Sequence, residues 1–341
     1  MDEKIVLCGA NSYQQKYYFN QNNFENFEIK FFQESLNEET VKKIPKEDLE
    51  NALIISVFTT SEITEKVIEK FKNLRIVSTR STGCEHIDFK PCINKNIAII
   101  NVEKYGNNSV AQFTFTLILA LVRQLFPAIL AVKNSTCLQN NFTGRNLTNL
   151  TLGIIGTGAI GASVCKIANA FDMDILAYDI SPKEELKEKY NVKYVTLNEL
   201  LKNADIVSLH LPYNKNTYHI MSDNEFKKMK DNSYFINVSR GELVNLNALL
   251  KYVKRGKFQG VGLDVVACVN SDCLENVKKI ERTTLQCLEE SNVVMELNSY
   301  SNVLITPHMS FETQESVEYI LEKTFDGLKD FVYGGHKYRI I

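Results

Sequence analysis

The sequence predicts an α/β protein made of two doubly wound parallel-sheet domains. Three observations carry that prediction. The chain has 341 residues, more than one ordinary core supports and about right for two domains. Short apolar runs alternate with helical patterns along most of it, the rhythm of strand–helix–strand units in open parallel sheets. The stretch Thr151 to Asp179, TLGIIGTGAIGASVCKIANAFDMDILAYD, sets a strand, a glycine turn, a helix and a second strand in sequence.

In the first hundred residues the apolar runs Ile5–Leu7, Ile29–Phe31, Leu53–Val57, Ile76–Ser78 and Ile97–Ile100 read as strands. Glu38–Lys43, stopped by Pro45, and Glu62–Phe71 read as helices between them. The loop from Arg80 to Asp88 follows a strand directly. Its small residues and glycine expose backbone N–H groups suited to a carboxylate, although an ordinary turn has the same composition. Val102 to Gly106 reads as a crossing between domains, and Ser109 as the cap of a helix, Val110 to Leu125, that is apolar nearly all round and therefore buried. Asn134 to Asn149 reads as polar loop.

The central stretch carries the first chemistry. Gly156 permits a tight strand-to-helix turn, Gly158 leaves room for a pyrophosphate at the backbone, and Gly161 lets the helix pack closely. The helix N-terminus at Ala159 and Ile160 offers N–H groups and a favourable dipole to the phosphates. Asp179, ending the second strand, stands where a carboxylate binds ribose hydroxyls and repels the extra phosphate of NADP, so NAD is the expected cofactor.

Beyond Asp179 the alternation continues. Leu186–Tyr190, Leu197–Lys202 and Ala248–Lys254 read as helices, and Ile206–Leu209, Tyr234–Val238, Val261–Leu263 and Val303–Ile305 as strands. Polar or ionisable groups follow these strands: His210 and Pro212, Val238-Ser239-Arg240, Asp264 and His308. Carboxyl ends of strands are where open α/β sheets bind ligands. His210 and Pro212, with Val238 and Ser239, are placed in the cofactor site, His210 and Pro212 as scaffold. Residues 266–302 break the rhythm and read as a largely surface insertion with helical turns at Cys273–Ile280 and Thr284–Glu289. Phe311 to Val332 reads as a closing amphipathic helix.

Hydride transfer to a 2-oxo acid needs a cation for the carboxylate and carbonyl, and a proton donor for the forming alkoxide. Arg240 has the planar fork that matches a carboxylate, and His308 titrates near neutrality. Composition excludes other classes. Net charge is −2, which gives no electrostatic basis for binding nucleic acid or an anionic membrane. Eight scattered cysteines without a CxxC pair read as free thiols of a cytoplasmic protein. No His/Cys/Asp cluster has ligand spacing, so no metal site is expected.

At this point the chain resembles the D-isomer-specific 2-hydroxyacid dehydrogenases, nearest the D-lactate and D-2-hydroxyisocaproate branch. The resemblance spans STRSTGCEHID at 78–88, NVEKYGNNSVAQFTFTLILALVR at 101–123, LGIIGTGAIG at 152–161, ADIVSLHLP at 204–212, INVSRGELVN at 236–245, GVGLDV at 260–265 and LITPHMSF at 304–311. It implies a discontinuous flavodoxin-like substrate domain, 1–101 plus 310–341, around a Rossmann NAD-binding domain, 102–309, usually in a homodimer. It implies Arg240 as substrate-binding arginine, His308 as acid/base, backbone binding of the carboxylate at Thr82 and Gly83, an active-site tyrosine at Tyr105 and a nicotinamide contact from Asp264. The expected reaction is reduction of a small 2-oxo acid such as pyruvate.

One departure bears on mechanism. Such enzymes place a glutamate five residues beyond the Asp of the LDV motif, bonded to the histidine, and here that position is Val269. Loss of the carboxylate lowers the expected pKa of His308 and loosens its orientation. Asp272, Glu275 or Glu312 could replace it, Glu312 by i, i+4 spacing from His308. An alternative reading is a catalytically impaired NAD(H)-sensing or regulatory protein on the same scaffold.

Overall fold

The computed structural model describes residues 3–10, 13–15, 17, 27–103, 105–136, 141–266 and 285–341. The expected helical turn at Cys273–Ile280, and with it Val269, Asp272 and Glu275, lies outside the described residues. The chain divides into two compact units, Met1–Tyr105 with Thr313–Ile341, and Gly106–Glu312.

The first unit is a five-stranded parallel sheet: β1 (Glu3–Cys8), β2 (Phe27–Phe32), β3 (Ala52–Val57), β4 (Ile76–Thr79) and β5 (Ala98–Ile100). Its order, β2-β1-β3-β4-β5, is that of flavodoxin-like sheets. The inner strands are apolar on both faces, which suits a sheet covered on both sides. On one face, Leu321, Phe325 and Leu328 of the helix Gln314–Val332 pack on Ile5, Leu7, Ile54 and Ile76. The chain end closes the β5 edge, where Ile340 N–H donates to the Ile99 carbonyl at 2.8 Å.

The second unit is a seven-stranded parallel sheet: β6 (Thr151–Ile155), β7 (Asp174–Tyr178), β8 (Lys193–Tyr194), β9 (Ile206–Leu209), β10 (Ser233–Asn237), β11 (Phe258–Leu263) and β12 (Val303–Ile305). The order is β12-β11-β10-β9-β6-β7-β8. Chain direction across the sheet reverses between β6 and β9, the switch point where such sheets bind ligands. Separate apolar clusters fill its two faces.

Four local expectations are corrected. Only Thr40–Lys43 of Glu38–Lys43 is helical, as one 3₁₀ turn, and the helix in Glu62–Phe71 is Glu65–Ile68, because Ile63 bridges to Ile87. Ser109 is inside its helix, which runs Asn107–Val122 from a left-handed Gly106 and stops before Gln124, itself left-handed at φ 51°. A second helix, Leu125–Lys133, follows that break. The closing helix begins only at Gln314, with Thr313 capping it through Ser316 N–H.

The insertion is also less superficial than expected. Leu285–Asn298 is a helix, and its Ser291, Val294 and Leu297 are buried. Val294 and Leu297 join the cluster that holds Leu249, Leu250 and Val253 of the helix Leu246–Lys254. Leu297→Ala is therefore expected to cost about 2–5 kcal/mol of unfolding free energy, read by denaturant titration. A change within about 0.5 kcal/mol, usual for surface sites, would return this helix to the surface.

Candidate active site

The glycine turn after β6 is shaped by backbone clearance. Gly156 has φ 96°, and a Cβ there would stand 2.5 Å from the His210 carbonyl oxygen. A Cβ on Gly161 would stand 2.0 Å from the Gly156 oxygen, so the helix Ala159–Ala170 sits directly on the turn. At Gly158 a Cβ would meet nothing within 4 Å. No side chain caps this helix, and Gly158 and Ala159 are exposed, with Ile160 half-buried against the core. The turn thus leaves first-turn N–H groups facing open space, the arrangement a pyrophosphate requires.

Asp179 stands at the end of β7. Its Oδ2 accepts from Thr157 N–H at 2.6 Å and Thr157 Oγ1 at 3.0 Å, and its Oδ1 from Ser181 N–H at 2.8 Å. Burial pushes the carboxyl up, but the Thr157 and Ser181 N–H groups outweigh it and hold the pKa below the usual value. Tyr194 of β8 donates to Thr157 Oγ1 at 2.9 Å. Neither Thr157 nor Tyr194 was expected here: a threonine between two glycines reads as turn, and Tyr194 is recruited from another strand.

His210 is buried beneath the turn, its Nε2 2.9 Å from Ser208 Oγ. Burial pushes its pKa down to about 3, so the imidazole is neutral and serves as packing. Pro212 is exposed, and its carbonyl accepts from Thr217 Oγ1 at 2.8 Å.

The ends of β10, β11 and β12 bring together the proposed chemistry. Val238 is buried, Ser239 Oγ donates to the Leu209 carbonyl at 2.6 Å, and the half-buried Arg240 bonds the Ser239 carbonyl through a guanidinium N–H at 2.8 Å. Asn237 accepts from Ser239 N–H at 3.1 Å and donates to the Arg240 carbonyl at 2.8 Å. His308 is half-buried, with φ 54° and its ring edge-on to Phe311 at 6.1 Å.

Asp264 is buried and anchors the loop around His308. Its Oδ1 accepts from Thr306 Oγ1 at 2.6 Å and Met309 N–H at 3.0 Å, and its Oδ2 from Ser310 N–H at 2.9 Å. Burial pushes the His308 pKa below its ordinary value; Asp264 opposes that, Arg240 adds to it, and Glu242 opposes it. Arg240 and His308 are therefore within electrostatic reach of each other.

Glu312 loses the geometry that recommended it. It is exposed, its N–H closes a turn to the Met309 carbonyl at 2.9 Å, and no helix begins before Gln314. The i, i+4 relation to His308 is not realised, and Glu312 is not among the charges acting on the imidazole.

In the first unit, the loop after β4 exposes Thr82 and half-exposes Gly83. Thr82 is held by its side chain, whose Oγ1 donates to the Val102 carbonyl at 2.8 Å, and by Asn101, which donates to the Thr82 carbonyl at 3.0 Å. Among the described residues neither the Thr82 nor the Gly83 N–H donates to a protein group. Burial pushes the neighbouring Cys84 thiol up to about 11, so it is no nucleophile at neutral pH. Tyr105 is half-exposed at the end of this unit. No group of three metal-ligating side chains occurs among the described residues.

A family model described as D-isomer specific 2-hydroxyacid dehydrogenase, NAD binding domain, matches residues 115–310. The chain is 34% identical over 284 residues to an aromatic 2-oxoacid reductase of Clostridium sporogenes, covering 82% of this chain and 83% of that one. It is 31% identical to a 2-hydroxyacid dehydrogenase homolog of Haemophilus influenzae, over 95% of each chain. The structure of D-lactate dehydrogenase from Aquifex aeolicus, complexed with NAD and lactic acid, superposes with a TM-score of 0.85 at 36% identity, covering 98% of this chain and 97% of that one.

The glycine geometry separates two substitutions. Gly158→Ala is expected to leave thermal stability unchanged while weakening NADH binding about tenfold or more, read by fluorescence titration, because its Cβ would meet no protein atom within 4 Å and would enter the space expected for a pyrophosphate. Gly161→Ala is expected to lower the unfolding temperature, because its methyl meets a backbone oxygen. Equal behaviour of the two would contradict this assignment.

Proposed function

The chain belongs to the D-isomer-specific 2-hydroxyacid dehydrogenases, and on that premise we propose that this NAD-dependent oxidoreductase reduces a small 2-oxo acid, pyruvate or a close analogue, to the D-2-hydroxy acid. The observation that carries the proposal is the convergence of Arg240 and His308 at the ends of β10 and β12, on either side of the end of β11. Bound NADH supplies the hydride. Arg240 holds the carboxylate and polarises the carbonyl, a task its planar fork performs in one orientation. His308 delivers the proton to the forming alkoxide. The unengaged Thr82 and Gly83 N–H groups are assigned to the carboxylate, and Tyr105 to the substrate site. The unit Met1–Tyr105 with Thr313–Ile341 is thereby the substrate domain.

Asp179 is held ionised by its N–H donors, which favours NAD over NADP. Asp264 is assigned both a nicotinamide contact and the support of His308. The relatives' names include aromatic 2-oxo acids and lactate, so the test panel spans pyruvate, branched and aromatic 2-oxo acids.

We further propose a homodimer in the cytoplasm. In the helix Leu125–Lys133, Leu125, Phe126, Ile129, Leu130 and Val132 are all exposed, a continuous apolar face of the kind a second subunit covers. The thiols of Cys8, Cys84, Cys92 and Cys165 are free, as in a reducing compartment. No single helix among the described residues is long and apolar enough to cross a membrane.

Two experiments test these readings. NADH oxidation with the 2-oxo acid panel is expected to show turnover that falls by about a hundredfold or more in Arg240→Ala and in His308→Ala. NADH binding without turnover of any acid would favour the sensing alternative, which Val269 in place of the expected glutamate supports. In analytical ultracentrifugation, Ile129→Glu with Leu130→Glu is expected to convert a dimer to a monomer, and an unchanged sedimentation coefficient would contradict the assigned interface.

A further inference from the structure

Three consecutive peptide groups in the loop 81–84, after β4, share one arrangement. The Ser81 carbonyl accepts from Val102 N–H at 3.2 Å, the Thr82 carbonyl from Asn101 Nδ2 at 3.0 Å, and the Gly83 carbonyl from Ser81 Oγ at 2.7 Å. The N–H groups of the same peptides belong to Thr82, Gly83 and Cys84, and among the described residues none of them donates to a protein group. An amide whose carbonyl accepts a hydrogen bond is polarised and donates more strongly from its N–H. Successive N–H groups of this kind are the material of a backbone anion site.

The third carbonyl is held by a chain of side chains whose direction follows from counting protons. Ser81 Oγ has one hydrogen, and it goes to the Gly83 carbonyl. Thr79 Oγ1, 2.6 Å from Ser81 Oγ, must therefore donate to it and has no hydrogen left. His86 Nε2, 3.1 Å from Thr79 Oγ1, must then carry a proton and donate. Thr79 and Ser81 are both buried, so the chain is closed to bulk water. The His86 backbone is fixed in turn, its carbonyl accepting from Ile63 N–H at 2.8 Å. Between Thr79 and Ser81, the buried Arg80 ties the base of the loop to β1 and β3 through the Cys8 and Ser56 carbonyls, at 2.6 and 3.0 Å.

Resting on the proposed carboxylate-binding role of Thr82 and Gly83, we infer that His86 is a positioning residue for the substrate carboxylate, acting through Thr79 and Ser81 on the Gly83 carbonyl. The cradle it orders has three donors, the Cys84 N–H being the third. The neutral Nε2–H tautomer and the imidazolium both donate, so the chain survives either charge state of the ring. The Nδ1–H tautomer breaks it, because two lone pairs would then face each other.

The test uses the full-length protein with NADH. In the wild type, the nitrogen chemical shifts of the neutral His86 ring, assigned by their loss in His86→Gln, are expected to place the proton on Nε2. His86→Leu and Ser81→Ala are expected to raise KM for the 2-oxo acid about three- to tenfold, with kcat and NADH affinity little changed, because only carboxylate binding is weakened. His86→Gln puts an amide N–H near the place of Nε2 and is expected to recover most of that loss, which Leu, of similar bulk but without a donor, does not. Calorimetric binding of oxamate, a 2-oxo acid analogue, to the NADH complex is expected to follow the same order. It reads the cradle whether or not an acid is reduced, so wild-type protein that binds oxamate in this order without turnover would overturn the proposed activity and support the cradle. A proton on Nδ1, equal KM or oxamate affinity in His86→Leu and His86→Gln, or wild-type protein that binds NADH but no oxamate would overturn the inference.

Discussion

A buried carboxylate without a basic partner is costly unless hydrogen bonds compensate it, and Asp264 is compensated entirely by the loop between β12 and the end of the second unit. The geometry of the proposed active site depends on that exchange. The carboxylate obtains three donors, and the loop obtains a shape in which His308 adopts a left-handed backbone. Asn237 repeats the device one strand away for Arg240. The chemistry is thus mounted on loops but referenced to two adjacent strands of a rigid parallel sheet, more exact than loop packing alone provides.

The same sheet organises cofactor binding through excluded volume. Between β6 and β9, Gly156, Gly161 and His210 crowd so closely that two positions admit no side chain, while Gly158 beside them opens outward. Tight packing on one side and clearance on the other bring a helix N-terminus to the surface without a side-chain cap. The Tyr194–Thr157–Asp179 chain of hydrogen bonds then fixes the Asp179 carboxylate against the turn.

Much of this was legible in the sequence, because backbone clearance and charge leave marks on residue type. Only glycine satisfies positions 156 and 161, and ionisable residues after apolar strands are conspicuous. Asn237, Thr306, Thr157 and Tyr194 left no such mark. Polar residues near strand ends look like turn formers, and their side-chain partners lie 2 to 42 positions away, brought together by the sheet. The Leu285–Asn298 helix was underestimated for a related reason: its buried Ser291, Val294 and Leu297 stand among Glu289, Glu290, Asn292 and Glu296, which mask the apolar periodicity. Glu312 failed because a spacing rule for helices was applied to a turn.

The electrostatics of His308 is where these threads meet. Burial and Arg240 favour the neutral ring, and Asp264 and Glu242 only partly restore the charged one. Reduction of a 2-oxo acid needs the protonated imidazole, so the rate of reduction should fall as pH rises through a pKa lower than the usual value of about 6.5. The pH dependence of kcat for 2-oxo acid reduction, with NADH saturating, measures this directly. A rate highest at acid pH and falling about tenfold per unit above that pKa is the expected result. A rate that holds its plateau to pH 8 would mean that another group restores the histidine's charge, and would contradict the role given to its surroundings.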